Sequence, residues 1–565
     1  MMLRLMHRLR PPEQKIAADS HPGWLSFARP SCWRVATLLC TVELASFLFC
    51  SAPTIAREDP VPPNVDLVQV PPLRVELLDS NLGTGCRATA VPCAWEAGEP
   101  QAQSAGAQST AASTRVSTAD TPQPVNWPIL PLSTADTPII AGANVDEPPG
   151  TYRLGRVTVT LGGYVDFKFF ARNRNQKSSS NSSLQAIPFA SSPNYYTKQF
   201  HTTVGDSRFS ALFDSKPWDD SHISAYSEFD LNGGAGSSDS KRGNSYKPRL
   251  RKGYVAYDNS EWGLHVLVGR ASSLVVPNSV GIISRKENSP ITLDAGYLPG
   301  HTGLRDGQLR VVKDWGGKWW IGASLESPQV EYGGTVTSFE PVADNVVPDL
   351  VVKAAVDPGW GHYEVIGVTR WLRDHVSING VSTTTTVVGG GVGASFIVPL
   401  VPEYLELTAT ALYGTALGRY GALGLPDATF TSSGAPSPLR SWQGHVGLLA
   451  HPSRAINLFA YAGKEQADSR TFADGANIGG YGNGVTNNAG CYVQNAAASC
   501  DPDRRSATQV TFGGWWRVRH GDWGTVMAGA QYSYTWINTF QGQSGGAPRT
   551  NEQVVVLGIR YLPTE

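Results

Sequence analysis

Arg208, Arg249, Arg251, Arg285, Lys286, Arg305 and Arg310 all lie between residues 208 and 310. Guanidinium and ammonium groups are poor acids and bases at neutral pH, so the chemistry they offer is electrostatic. A ring of such groups gives an anion the fixed positive partner it needs when it sheds part of its water, and so selects anions at a pore constriction. Asp166, Glu228, Asp230 and Glu406 supply the competing reading, in which the arginines pair with carboxylates and select nothing.

Other chemistry finds less support. Gly542-Gln-Ser-Gly-Gly546 matches a serine-nucleophile pattern, but no helix follows it to form the strained elbow that such a serine requires. Gly389-Gly-Gly-Val-Gly-Ala394 superficially fits a dinucleotide fingerprint, yet lies in a strand-like run with no βαβ unit around it. Cys86 with Cys93 and Cys491 with Cys500 form two close pairs, as expected of disulfides in an oxidising compartment. Neither pair has CxxC spacing and His is absent from both neighbourhoods, so no metal and no cofactor is expected. The formal net charge of −1 excludes a strongly basic nucleic-acid footprint.

The elements that must hold the basic residues are strands. In Val157–Phe170, VTVTLGGYVDFKFF, the odd positions are mostly apolar and the even positions mostly polar, the period of a strand with two unlike faces. Sixteen segments read this way, from 157–170 and 205–215 through 361–371 and 385–398 to 523–537 and 551–561. Odd positions Leu405, Leu407, Ala409, Ala411 and Tyr413 should face lipid, as should Val555, Leu557, Ile559 and Tyr561. Only 16% of the residues are charged, and Gly and aromatic residues are plentiful. Seven connections are short, such as Lys216–Asp220, Asp314–Gly317 and Gly521–Asp522, and they alternate with long ones. The long ones are 171–204, 232–247, 272–306, 327–348, 372–384, 416–438, 468–505 and 538–550. Ten-residue alternating strands with turns short at one end and long at the other are the pattern of a transmembrane antiparallel β-barrel. An even strand number brings both termini to the periplasmic side, and pairing of the last strand with the first leaves no open edge in lipid.

Residues 1–56 read as an export signal with a long leader, because Arg29 and Arg34 precede the apolar run Val35–Cys50, which is followed by Thr54-Ile55-Ala56. The run is short and contains Glu43, which argues against a membrane helix of about 20 residues. Residues 57–150 are rich in Pro, Ala, Ser and Thr and repeat Ser-Thr-Ala-Asp-Thr-Pro at 117–122 and 133–138. Such a composition cannot bury a core, so it is expected to be a disordered periplasmic spacer that contacts the cell wall or simply links. Residues 151–565 form the barrel domain.

This barrel region resembles Gram-negative trimeric porins of the DcaP-like kind. The likeness is carried by Ser207–Ala211, Arg249–Val255, Thr292–Gly300, Gly521–Thr535 and the ending Arg560-Tyr-Leu-Pro563. It implies a sixteen-stranded barrel, a homotrimer in outer-membrane lipid, and passage of small anionic solutes such as dicarboxylates. Two features depart from the family: residues 57–150 lack helical heptads, and the chain ends Tyr561-Leu-Pro-Thr-Glu565 instead of at an aromatic. The connection 272–306 is the long third loop, which in porin-like barrels folds inward, and Arg285, Lys286 and Arg305 are its candidate constriction residues. Arg208, Arg249, Arg251 and Arg310 would oppose them from the wall. A non-channel alternative is an outer-membrane adhesin or enzyme using loop 468–505, stapled by Cys491 and Cys500.

Overall fold

The computed structural model describes residues 150–564 except 179, 235–245 and 483. The expected export signal, the spacer up to residue 149 and the Cys86–Cys93 pair lie outside the described residues.

Sixteen antiparallel strands form one closed wall. The first eight are β1 (Val157–Arg172), β2 (Arg208–Trp218), β3 (Ser221–Asp230), β4 (Arg249–Asn259), β5 (Leu264–Ser272), β6 (Arg305–Trp315), β7 (Trp319–Glu326) and β8 (Asp349–Val356). The rest are β9 (His362–Ile378), β10 (Val381–Val401), β11 (Leu405–Thr415), β12 (Arg440–Ser453), β13 (Ile456–Ala467), β14 (Arg504–Gly521), β15 (Gly524–Thr539) and β16 (Arg549–Leu562). Each pairs with its chain neighbours, and β16 returns to β1 in the register Val165↔Tyr561 through Arg172↔Val554.

Side-chain parity sets what each face meets. On β16 the outward Val555, Leu557 and Ile559 are exposed, whereas the inward Glu552, Val554 and Val556 are fully buried. On β15 the outward set includes Ala530 and Trp536, and Gln531, Ser533 and Thr535 are buried inward. Exposed apolar outside and buried polar inside invert the arrangement of a water-soluble sheet, and suit a wall whose outside is hydrocarbon. Trp218, Trp262, Trp315, Trp319, Trp360 and Trp523 lie exposed at or beside the short turns, the position of an interfacial aromatic girdle.

The seam is built around β1, whose two edges are both covered along most of their length. One edge pairs with β2 from Val157↔Ser215 to Tyr164↔Arg208, then with a short strand Gln199–Thr203 from Lys168 to Arg172. The other edge pairs with β16 above, and below with the short strand Thr151–Leu154. Between these partners the Ser207 hydroxyl accepts from the Asp166 backbone N–H at 3.0 Å and lies 3.3 Å from its carbonyl. A side chain there replaces the missing rung.

Two expectations need revision. Residues 372–384 are not a loop, because β9 and β10 run on and join through Asn379 and Gly380, whose φ values of 52° and 79° make the tight turn that Asn-Gly favours. The turn expected at Lys216–Asp220 shrinks to Asp219 and Asp220, because β2 continues through Trp218.

Leu557→Arg, which puts a charge on the lipid face, is expected to destabilise the barrel by about 2–4 kcal/mol if the position lies near the bilayer midplane. Denaturant titration of protein refolded into lipid vesicles measures the loss.

Candidate functional site

The third long connection, L3 (residues 273–304), turns back into the barrel and lies against β7 to β16. Its anchors are polar. Leu274 N–H donates to Glu326 at 2.8 Å, Asn278 N–H to Glu364 at 3.0 Å, and Leu293 and Asp294 N–H to Gln531 at 2.5 and 3.1 Å. The Lys353 ammonium donates to the Val276 carbonyl at 2.7 Å, and the Tyr297 hydroxyl to Glu552 at 2.6 Å. Ile291, Leu293, Tyr297 and Leu298 share a buried apolar cluster with Phe459, Tyr461 and Trp515 of the wall. Gly300, at φ 81°, approaches β12 so closely that a Cβ would stand 2.1 Å from the Gly444 carbonyl oxygen.

Because L3 leans to that side, a gap remains between it and β1 to β4. This cavity, about 190 Å³, is lined by seven cations, Lys168, Arg208, Arg249, Arg251, Lys252, Arg305 and Arg560, with the carboxylates of Asp206, Glu228 and Glu287. Asp166 and Asp230 stand behind them. Arg249 donates to both oxygens of Asp230 at 2.9 and 2.6 Å, and Arg251 reaches Glu228 at 2.6 Å and Asp230 at 2.8 Å. Lys252 pairs with Glu287 of L3 at 3.0 Å, Arg560 with Asp166 at 2.8 Å, and Lys168 with Asp206 and Asp166. Among the described residues, seven cations against five carboxylates leave a surplus of two positive charges. Arg560 is also packed between aromatic faces, 4.1 Å from the Tyr164 ring centroid and 4.5 Å from that of Trp515.

Local backbone irregularity sets this arrangement. In β4 the register with β3 slips between Glu228↔Lys252 and Phe229↔Leu250, so Arg251 is an extra residue. A bulge of this kind lets two successive side chains point the same way. Arg251 and Lys252 both line the lumen while Val255, on the same parity as Arg251, stays outside.

Of the seven basic residues singled out from the sequence, Arg208, Arg249, Arg251 and Arg305 meet at the cavity. The other three do not line it. Arg285, at φ 69°, lies over the Tyr226 ring at 5.3 Å, and Lys286 closes a turn through its backbone. Arg310 is buried beneath L3, donating to Gln308 at 2.9 Å and to the Ser272 carbonyl. Lys168, Lys252 and Arg560 were missed. The inward parity of β1, β4 and β16 marks all three, since Lys252 shares the face of the buried Tyr254 and Ala256, but nothing in the sequence marks the bulge that turns Arg251 inward beside it. Cys491 and Cys500 form a disulfide in the seventh long connection.

His301 of L3 reaches the same cavity. Burial first, then His445 and Arg305, hold its imidazole down at about 3, so it is neutral at physiological pH. His301→Gln should therefore leave the pH profile of charge preference unchanged between about pH 5 and about pH 8, as read by reversal potentials.

No family model matches the chain, and comparison with curated proteins finds no match. Among solved structures, the outer membrane channel DcaP of Acinetobacter baumannii aligns at 15% identity and TM-score 0.51, covering 72% of this chain and 97% of that one. An anion-selective porin from Comamonas acidovorans aligns at 11% identity and TM-score 0.39, covering 72% of this chain and 99% of that one. At these identities the likeness is one of fold. The chain has the sixteen-stranded barrel fold of an outer-membrane porin.

Proposed function

We propose that the protein is a passive outer-membrane channel for small hydrophilic anions, dicarboxylate-like in size and charge. The observation that carries the anion preference is the surplus of two positive charges around the gap beside L3. An anion stripped of part of its shell at a narrow point needs fixed positive partners, and a cation passing the same wall meets net repulsion. The constriction is then formed by Arg208, Arg249, Arg251 and Arg305 with Lys168, Lys252 and Arg560, and Arg285, Lys286 and Arg310 support it from behind.

The same reading puts the short turns and both termini in the periplasm, since residues 151–154 begin the wall at the short-turn end beside the end of β16. Homotrimeric assembly in outer-membrane lipid is what the resemblance to DcaP-like porins implies. Residues 57–150 would then enter from the periplasm, within reach of the cell wall.

Reversal potentials of the purified protein in planar bilayers under a salt gradient test the proposal. Wild type is expected to prefer anions, and Arg305→Ala to lower the anion-to-cation permeability ratio by about twofold or more. Absence of ohmic conductance would remove the channel, and cation preference in wild type would remove the charge assignment.

A further inference from the structure

The sixth long connection, L6 (residues 416–439), also folds inward, and one carboxylate joins it to L3. Glu465 of β13 is almost fully buried, and it accepts three backbone N–H groups from two different loops. Gly300 of L3 donates to Oε1 at 2.7 Å, Ala422 of L6 to the same oxygen at 2.7 Å, and Leu423 of L6 to Oε2 at 2.9 Å. Backbone geometry at both loops is fitted to it. A Cβ on Gly421 would stand 2.4 Å from Glu465 Oε2, and one on Gly463 would stand 2.0 Å from the Pro299 carbonyl.

L6 is in turn tied to the stem that carries Arg305. Arg419 donates to Asp306 at 2.6 Å and to Asp349 at 3.3 Å, and its own backbone N–H is held by Asp427 at 3.1 Å. Asp427 also pairs with Arg370 at 2.8 Å. Glu465 therefore fixes L3 at Gly300, before His301, Gly303 and Arg305 reach the cavity. Through Arg419 and Asp306, L6 fixes the residue directly after Arg305.

We infer that Glu465 is a positioning residue for selectivity: it makes L3 and L6 one rigid unit that holds Arg305 at the gap, so that L6 sets ion preference without lining it. The inference rests on the channel reading above. It makes a prediction whose sign differs from that of simple electrostatics. Removing a buried negative charge would by itself make the interior more attractive to anions. If Glu465 acts by position, its removal instead frees the stem, lets Arg305 sample other places and lowers anion preference.

The test compares wild type, Glu465→Gln and Gly421→Ala as purified protein in planar bilayers, with heat-modifiable gel migration confirming a folded barrel. Glu465→Gln keeps one carbonyl acceptor but turns an amide toward a backbone donor. Gly421→Ala sets a methyl group against Glu465 Oε2 and Gln443 Oε1 and so parts the carboxylate from L6 with its charge kept, whichever of them gives way, and it carries the test should the first variant not fold. For either variant the expected result is an anion-to-cation permeability ratio lowered by about twofold or more, with raised open-channel current noise. An unchanged or increased anion preference with wild-type noise in a folded variant overturns the inference. If wild type itself shows no anion preference, the charge assignment fails separately, and current noise still decides whether Glu465 holds the loops.

Discussion

Hydrocarbon offers no partner to a backbone N–H or carbonyl, so a wall of strands in a membrane must close on itself. Here closure is concentrated at β1, which takes β2, β16 and two short strands as partners along its length. The gap between these partners falls at Asp166, where the Ser207 hydroxyl completes the ladder. That repair folds residues 204–207 inward and brings Asp206 against Lys168, beside Arg208 and Arg560. Closing the seam and assembling the charged wall are thus one structural event. A change that loosened the seam would also scatter the charges.

The interior obeys a second constraint. A barrel of this width has a lumen that only inserted chain can narrow, and inserted chain brings backbone groups that must be paired. L3 and L6 meet the requirement by using wall side chains as acceptors and donors: Glu326, Glu364, Glu465 and Gln531 receive loop N–H groups, and Lys353 and His445 reach loop carbonyls. Apolar packing of Ile291, Leu293 and Leu298 on Tyr461 and Trp515 adds burial to this polar seating. Because those anchors all lie on β7 to β16, the opening is displaced toward β1 to β4, where the bulged β4 presents its basic residues.

The wall was readable from the sequence because each strand has to separate lipid from water, and parity records that choice residue by residue. Leu405 to Tyr413 and Val555 to Tyr561 take the expected faces. What parity does not encode is where it breaks. The extra residue Arg251 brings Arg251 and Arg249 to the lumen from a strand whose alternation already turns Lys252, Tyr254 and Ala256 inward, and no composition signal accompanies it. Asn379-Gly380 did carry a turn signal, and reading it would have joined β9 to β10 directly. The fate of L3 was legible only as a length. Which of its basic residues reach the opening depends on anchors spread from β7 to β16, so Arg305 arrives while Arg285 and Lys286 are held aside by a turn and by Tyr226.

Ion pairing at the gap does not by itself silence its cations. A guanidinium has five N–H donors in a fixed fork. Among the described residues, Arg249 spends two on Asp230, and Arg251 spends one on Glu228 and one on Asp230, with the carboxylates standing behind them. The pairs hold the long side chains in place, and so fix the remaining donors at defined points along the wall. Under the proposed anion-channel function, net attraction would be set by the surplus of two charges, while the paired arginines would supply hydrogen bonds that replace lost water. Under the same proposal such a wall would attract anions only modestly, which suits conduction, since a solute held too tightly could not leave.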